Sequence, residues 1–245
     1  GCDGNHRRQI HLAESERQIL NLRFRPAGTS PAGHSRFSEE TMNCLAFLEK
    51  EIHSVIIATV DDLGLPVTCA VDIMDSDDNG LYFLTAKGKG FYHRLVKQGY
   101  VALTGIKGSD TMSCVAVSVR GKVEEIGNER LGRLLDKNPY MLEIYPTEQS
   151  REALTVFRLY EGDGEWFDLS KKPIERLAFS VGGTNLTAHG YVITERCNGC
   201  GMCGSVCPQN CIDFEKTPAV IIKEHCLHCG NCLSACPQNA IIKEG

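Results

Sequence analysis

The 245 residues contain no run of about twenty apolar side chains, the length a helix needs to cross a hydrocarbon core. Positive charge is not in excess either. The chain has 26 Lys and Arg against 31 Asp and Glu, a net charge of −5, and such a balance gives no electrostatic footprint for nucleic acid. No P-loop sequence occurs, and outside the cysteine runs no G-x-G-x-x-G does. A nucleotide held by a Rossmann or P-loop turn is therefore unsupported. No apolar leader opens the sequence, so the expectation is a soluble, cytoplasmic protein with reduced thiols. At 42% hydrophobic residues, the length suits two domains.

Cysteine is what the chain has in plenty, with 13 residues, eight of them in two runs. The first is Cys197-Asn-Gly-Cys200-Gly-Met-Cys203-Gly-Ser-Val-Cys207-Pro208 and the second Cys226-Leu-His-Cys229-Gly-Asn-Cys232-Leu-Ser-Ala-Cys236-Pro237. Both read C-x2-C-x2-C-x3-C-P, the spacing of bacterial two-cluster ferredoxins. A constant offset of 29 residues relates them, and it carries Pro208-Gln209-Asn210 onto Pro237-Gln238-Asn239. This is an internal duplication. Three closely spaced thiolates wrap one corner of a cubane, and the fourth cysteine of each run crosses to the other cluster. The expected ligand sets are Cys197, Cys200, Cys203 and Cys236 for one [4Fe–4S] cluster, and Cys226, Cys229, Cys232 and Cys207 for the other. Gly199, Gly201, Gly204 and Gly230 are expected to let backbone N–H groups approach sulfur. Structural zinc needs fewer cysteines than each run supplies, and disulfides suit a secreted chain. Cys211 has Ala240 as its counterpart and reads as a small buried side chain rather than a ligand. Cys44, Cys69 and Cys114 stand singly in apolar patterns. The charge from Gly190 onward is close to neutral (Arg196, Lys216, Lys223 and Lys243 against Glu195, Asp213, Glu215, Glu224 and Glu244). Free ferredoxins are often strongly acidic, so this balance suits electron delivery to something in the same chain.

Ahead of the cysteines, residues 1–37 read as an extension or linker, with a helical pattern over 11–24. From Ser38, an N-cap with Glu39 and Glu40 behind it, Met42, Leu45, Ala46, Leu48 and Ile52 mark a helix face. Strands are predicted at 54–60, 67–73, 81–85, 100–106, 112–126, 153–161 and 165–168, with helices at 90–98 and 128–137. Residues 171–189 read as linker and 190–245 as the cluster domain. Many strands broken by single helices predict a β-dominated α+β chain whose 38–170 segment is an antiparallel barrel.

The order of these elements, with Ser54-Val-Ile-Ile-Ala-Thr-Val-Asp-Asp-Leu-Gly-Leu-Pro-Val67 and Leu81-Tyr-Phe-Leu-Thr-Ala-Lys-Gly-Lys-Gly90, resembles the pyridoxamine 5′-phosphate oxidase-like FMN-binding split barrels. The whole chain is similar to the subgroup that fuses such a barrel to a two-cluster ferredoxin. The resemblance implies a homodimer with FMN at its interface, the phosphate held by the loop after the third strand. Thr85, Lys87 and Lys89, with Gly88 and Gly90, offer a hydroxyl, cations and close backbone approach there; alone the segment reads equally as a solvated Lys-Gly turn. Val67, Thr68 and Cys69 match the strand beside the flavin ring, or are strand filler. The arginine-rich contacts of the vitamin-B6 oxidase are not found at the corresponding loop, so oxidation of pyridoxamine phosphate is not expected. Trp166 and Phe167 either stack on a ligand or fill the core. His93 reads as a surface residue, Tyr140 and Tyr145 as residues reaching a partner's site.

Clusters carry single electrons, whereas a flavin takes two singly and delivers them together. The expected function is an oxidoreductase fed by an external ferredoxin or similar donor and reducing a small-molecule acceptor. The alternatives are a non-catalytic electron carrier or redox sensor that docks a partner protein, and a tetrapyrrole-binding barrel with His53 or His93 as a weak axial ligand.

Overall fold

The computed structural model describes residues 44–184, 186 and 189–244, and all of them fall in one compact unit. The expected helix over 11–24, the Ser38 cap and Met42 lie outside the described residues. The chain is α-helical over 44–47 and continues as a π-helical turn, Leu48–Ile52. That turn stops at His53, whose φ of 64° takes it out of the helical region.

A hairpin follows, β1 (Ser54–Val60) paired antiparallel with β2 (Pro66–Asp72). Burial alternates along β1, so Val55, Ile57 and Thr59 face inward. Next come β3 (Asp75–Asp77), β4 (Gly80–Ala86) and helix α1 (Gly90–Gln98), which ends on Gly99 at φ 59°. The strands β5 (Tyr100–Lys107) and β6 (Val115–Gly127) pair, and after α2 (Leu131–Lys137), α3 (Met141–Ile144) and α4 (Glu148–Arg151) the chain enters β7 (Leu154–Asp168). The sheet order is β2-β1-β5-β6-β7-β4-β3, with β8 (Glu175–Val181) also on β7.

β7 is one 15-residue strand where the sequence reading has two. Its first half pairs with β4 and its second half with β8. The change of partner falls at Gly162, which faces Gly121 of β6. A Cβ on Gly121 would stand 2.3 Å from the Glu161 carbonyl oxygen, so only glycine permits this approach. β8 lies within the segment read as linker. Its Leu177, Phe179 and Val181 alternate inward, and the Phe179 ring lies over Gly164, its cross-strand partner.

The main core gathers Phe83, Phe91, Phe157, Phe179 and the inward residues of β1, β5 and β6. Phe83 and Phe157 stack with ring centroids 5.9 Å apart. Each such side chain contributes about 1.5–3 kcal/mol on burial. Beside this core, Asp75 is fully buried and is held by Arg133 (2.6 Å), Lys137 (2.5 Å) and Arg130 (3.3 Å). Lys137 also pairs with Glu49 of the π-helical turn, so the cluster ties α2 to the sheet.

The cluster domain is built on two small ribbons. β9 (Gly190–Ile193) pairs with β12 (Ile241–Glu244), and β10 (Ile212–Asp213) with β11 (Val220–Ile221). Short helices α5 (Met202–Ser205) and α6 (Asn231–Ala235) carry the third cysteine of each run. No helix among the described residues is long and apolar enough to span a membrane.

Candidate functional site

The duplication in the sequence is also a duplication of backbone. Gly201 and Gly230 cap α5 and α6 with φ of 77° and 81°, and Asn210 and Asn239 take φ of 50° and 47°. The pair Gly199 and His228 does the same at 73° and 55°, although only one of them is glycine. Backbone N–H groups donate to sulfur at matched places. Gly199 N reaches Cys197 Sγ at 3.5 Å and His228 N reaches Cys226 Sγ at 3.4 Å. Cys211 N and Ala240 N reach Cys207 and Cys236 at 3.4 and 3.3 Å. Gly204 has two roles: its N–H donates to the Cys203 thiol, and a Cβ there would meet the Phe214 ring at 2.7 Å.

Two cavities, of about 340 and 320 Å³ counting the open space at their mouths, lie in this domain. The smaller is lined by Cys197, Cys200, Cys203 and Cys236, the larger by Cys207, Cys226, Cys229 and Cys232. Each cavity thus receives three cysteines from one run and the last cysteine of the other. Among the described residues no three His, Cys, Asp or Glu side chains converge on a point where a single metal ion would sit. Tetrahedral zinc, with Zn–S near 2.3 Å, would require such convergence. Thiolates spaced around a cavity suit a multi-iron group instead. Cys211 also lines the larger cavity, and its sulfur lies 3.4 Å from that of Cys207.

The larger cavity is the one beside the barrel. The Ile174 N–H donates to Gln209 Oε1 at 3.1 Å, and His225 Nδ1 lies 3.0 Å from the Ile174 carbonyl. From β8, Arg176 Nη1 donates to the Cys226 carbonyl at 3.2 Å while its Nε side holds Glu165. Burial, with Arg176 nearby, pushes the His228 imidazole down.

A third cavity, about 780 Å³ counting the open space at its mouth, opens in the barrel between β2, β4, α1 and α3. Cys69, Thr85, Lys89, Phe91 and Tyr145 are among its walls. Thr85 Oγ1 is buried with no hydrogen-bond partner, an arrangement that costs free energy unless a bound group supplies one. Lys89 is the N-cap of α1, and no side chain caps that helix, so its first N–H groups are open to an anion. Arg94, one turn on, donates from Nε to Thr59 Oγ1 at 2.8 Å. Burial pushes the Cys69 thiol up, against the pull of Arg94 and Lys89. These donors fit a ligand with a phosphate and a largely apolar body.

Of the residues expected here, Thr85 and Lys89 come together at the cavity. Val67, Thr68 and Lys87 do not line it. Thr68 is exposed on β2, and Lys87 is exposed in the turn after β4. Trp166 packs in the core with its ring 4.7 Å from that of Phe47, and Phe167 lies under Arg176. His93 is exposed. Tyr145 is a wall of this same chain's cavity, whereas Tyr140 donates to Asp72 at 2.8 Å and meets His53 Nε2 at 3.0 Å. Arg94, which the sequence reading does not single out, stands four residues after Gly90 on the face of the helix start; like Lys87 it is not a wall of the cavity.

Residues 41–160 match the family described as pyridoxamine 5′-phosphate oxidase, and residues 196–240 match the 4Fe-4S dicluster domain. No curated protein matches the chain. Among solved structures, a NimC/NimA family protein of Clostridium acetobutylicum is 18% identical at a TM-score of 0.50, over 62% of this chain and 100% of its own. A protein of the same organism related to general stress protein 26 gives 16% identity and a TM-score of 0.44, over 59% and 94%. A pyridoxamine 5′-phosphate oxidase-related, FMN binding protein of Nostoc punctiforme gives 12% and 0.38, over 62% and 91%. The two family matches identify a pyridoxamine 5′-phosphate oxidase-like split-barrel segment, residues 41–160, followed by a 4Fe–4S dicluster domain, residues 196–240.

Proposed function

We propose that this chain is an iron–sulfur flavoprotein oxidoreductase, taking single electrons from an external ferredoxin or similar donor and reducing a small-molecule acceptor. One observation carries the reading: a cavity lined by five cysteines, four of them in the motif spacing, adjoins a barrel whose own cavity holds an orphaned hydroxyl beside open cationic donors. Cys197, Cys200, Cys203 and Cys236 hold one [4Fe–4S] cluster, and Cys207, Cys226, Cys229 and Cys232 the other. Thr85, Lys89, Arg94 and the start of α1 hold FMN, with Cys69 at its side. Bound flavin supplies the conversion between one- and two-electron chemistry. Oxidation of pyridoxamine phosphate is not the proposed activity. Anaerobic protein should carry about eight irons, from two cubanes, and one flavin per chain. A sample with its iron but no flavin after reconstitution with FMN overturns the reading.

The cation pair gives a sharper check. Arg94→Ala should weaken FMN binding by about tenfold, the size of one charge-assisted hydrogen bond, and leave iron content unchanged. Flavin fluorescence on titration into flavin-free protein measures it, and an unchanged affinity removes Arg94 from the site.

A homodimer is part of the same proposal. The outer face of β2, β1 and β5 presents Thr68 and Ala70, then Ile56 and Ala58, then Ala102, Thr104 and Ile106, with Ile56 51% and Ile106 62% exposed. These uncharged positions sit side by side in the ladder, a patch that monomers seldom expose. Ile56→Lys should give a monomer by light scattering, with its two iron sites filled. A variant that remains dimeric excludes this face.

A further inference from the structure

The duplicated domain contains its own control, because ten of the twelve residues around each cavity have a counterpart 29 positions away around the other. The matched N–H to sulfur bonds differ by about a tenth of an ångström between halves, so the backbone treats both sites alike. Side chains differ between the halves at several positions (His228 stands opposite Gly199, Leu227 opposite Asn198), and two of the differences put a donor or a fixed charge at the barrel-side site. Cys211, 3% exposed, lies 3.4 Å from Cys207 Sγ, and its counterpart is Ala240, which has no donor. A ligating sulfur is a thiolate, so the proton in this S–S contact belongs to Cys211, which donates to Cys207. The second is Arg176, whose guanidinium donates to the Cys226 carbonyl at 3.2 Å. Among the described residues no side chain donates to the Cys197 carbonyl. Glu165 offsets part of the Arg176 charge, which makes the thiol the larger of the two influences.

Hydrogen bonds to cluster sulfur and nearby positive charge favour the reduced, more negative state. Both asymmetries act on the set that adjoins the barrel. We infer that Cys211 and Arg176 make the barrel-side cluster the more readily reduced of the two, so that an electron entering the domain comes to rest beside the barrel. The inference builds on the ligand sets proposed above and adds a direction to them. The internal transfer moves one electron and no proton, with an external one-electron donor as its source. Cys211 and Arg176 are positioning residues in this role.

The test is a potentiometric titration of the anaerobic holoprotein followed by electron paramagnetic resonance, with iron counted on every sample. Wild type should show two couples whose separation favours one cluster by at least tenfold, about 59 mV for a one-electron couple. Cys211→Ala and Arg176→Met should each lower the higher couple and leave the lower one in place, with Cys211→Ala moving it further. Ala240→Cys, which gives the outer site the missing donor, should raise the lower couple. Coincident couples in a wild type with eight irons, or variants that move neither, overturn the inference alone. Loss of about four irons in Cys211→Ala overturns it by making Cys211 a ligand. Fewer than eight irons in the wild type overturns the ligand sets and the inference together.

Discussion

Cys207→Ser should cost the protein its barrel-side cluster and spare the outer one. Cys207 stands four residues after Cys203 in one run, yet the two sulfurs line different cavities. Iron should fall from about eight towards about four per chain. The surviving resonance signal should be the couple that Cys211→Ala does not move. Cys236→Ser should do the converse, removing the outer cluster although Cys236 lies in the second run. If each substitution instead emptied the cavity of its own run, the crossed ligand sets would be wrong and each run would act alone.

The second large effect is on stability. Asp75 has no exposed surface and accepts from Arg133, Lys137 and Arg130. Breaking a buried pair costs about 3–5 kcal/mol because the remaining charges lose their partner. Arg133 is 57% exposed and screened by water, so Asp75→Ala should sit at the low end, about 3 kcal/mol. For a chain of this size that is a fall in Tm of about 6–12 °C. The only tryptophan, Trp166, packs against Phe47 in the barrel and reports this unfolding by fluorescence, separately from the clusters. Burial alone would raise the Asp75 carboxyl, but the hydrogen bonds from Arg133 and Lys137 outweigh it and hold it below its ordinary 3.8. A depressed carboxyl contributes stability above its unfolded value. That share is full above pH 4 and is lost as pH falls through the folded value, beneath 3.8. The Asp75→Ala protein should therefore approach the parent in stability as the pH is taken below that range. A constant difference across it would show that Asp75 acts through packing alone.

What the sequence made legible was the local chemistry. The cysteine spacing is dictated by a cubane's geometry, and the structure arranges the eight residues in the two crossed sets that spacing implies. The β1–β2 hairpin and α1 fall within a residue of the expected bounds, because turn signals and strand alternation are local. The errors lie where long-range contact decides. Gly162-Asp-Gly164 reads as a break, but it lies inside a strand whose glycines are required by Gly121 and Phe179 from elsewhere in the chain. β8 falls in the 171–189 segment that reads as linker, and pairing with β7 is what makes it a strand. At the barrel cavity, Thr85 and Lys89 were visible because they precede a helix start. Val67, Thr68 and Lys87 lie outside that cavity's walls, and which residues of an edge strand or a loop line a cavity is fixed by the rest of the sheet rather than by local sequence.

β7 has a mechanical consequence. One strand is shared by β4 of the barrel and by β8, and the chain around β8 grips the cysteine domain through Ile174 and Arg176. The two halves of the molecule are braced on a common beam rather than joined by a tether. On the proposed function, electron passage between them needs no diffusional search, and its rate should be indifferent to solvent viscosity. Only the encounter with an outside donor should slow as glycerol is added.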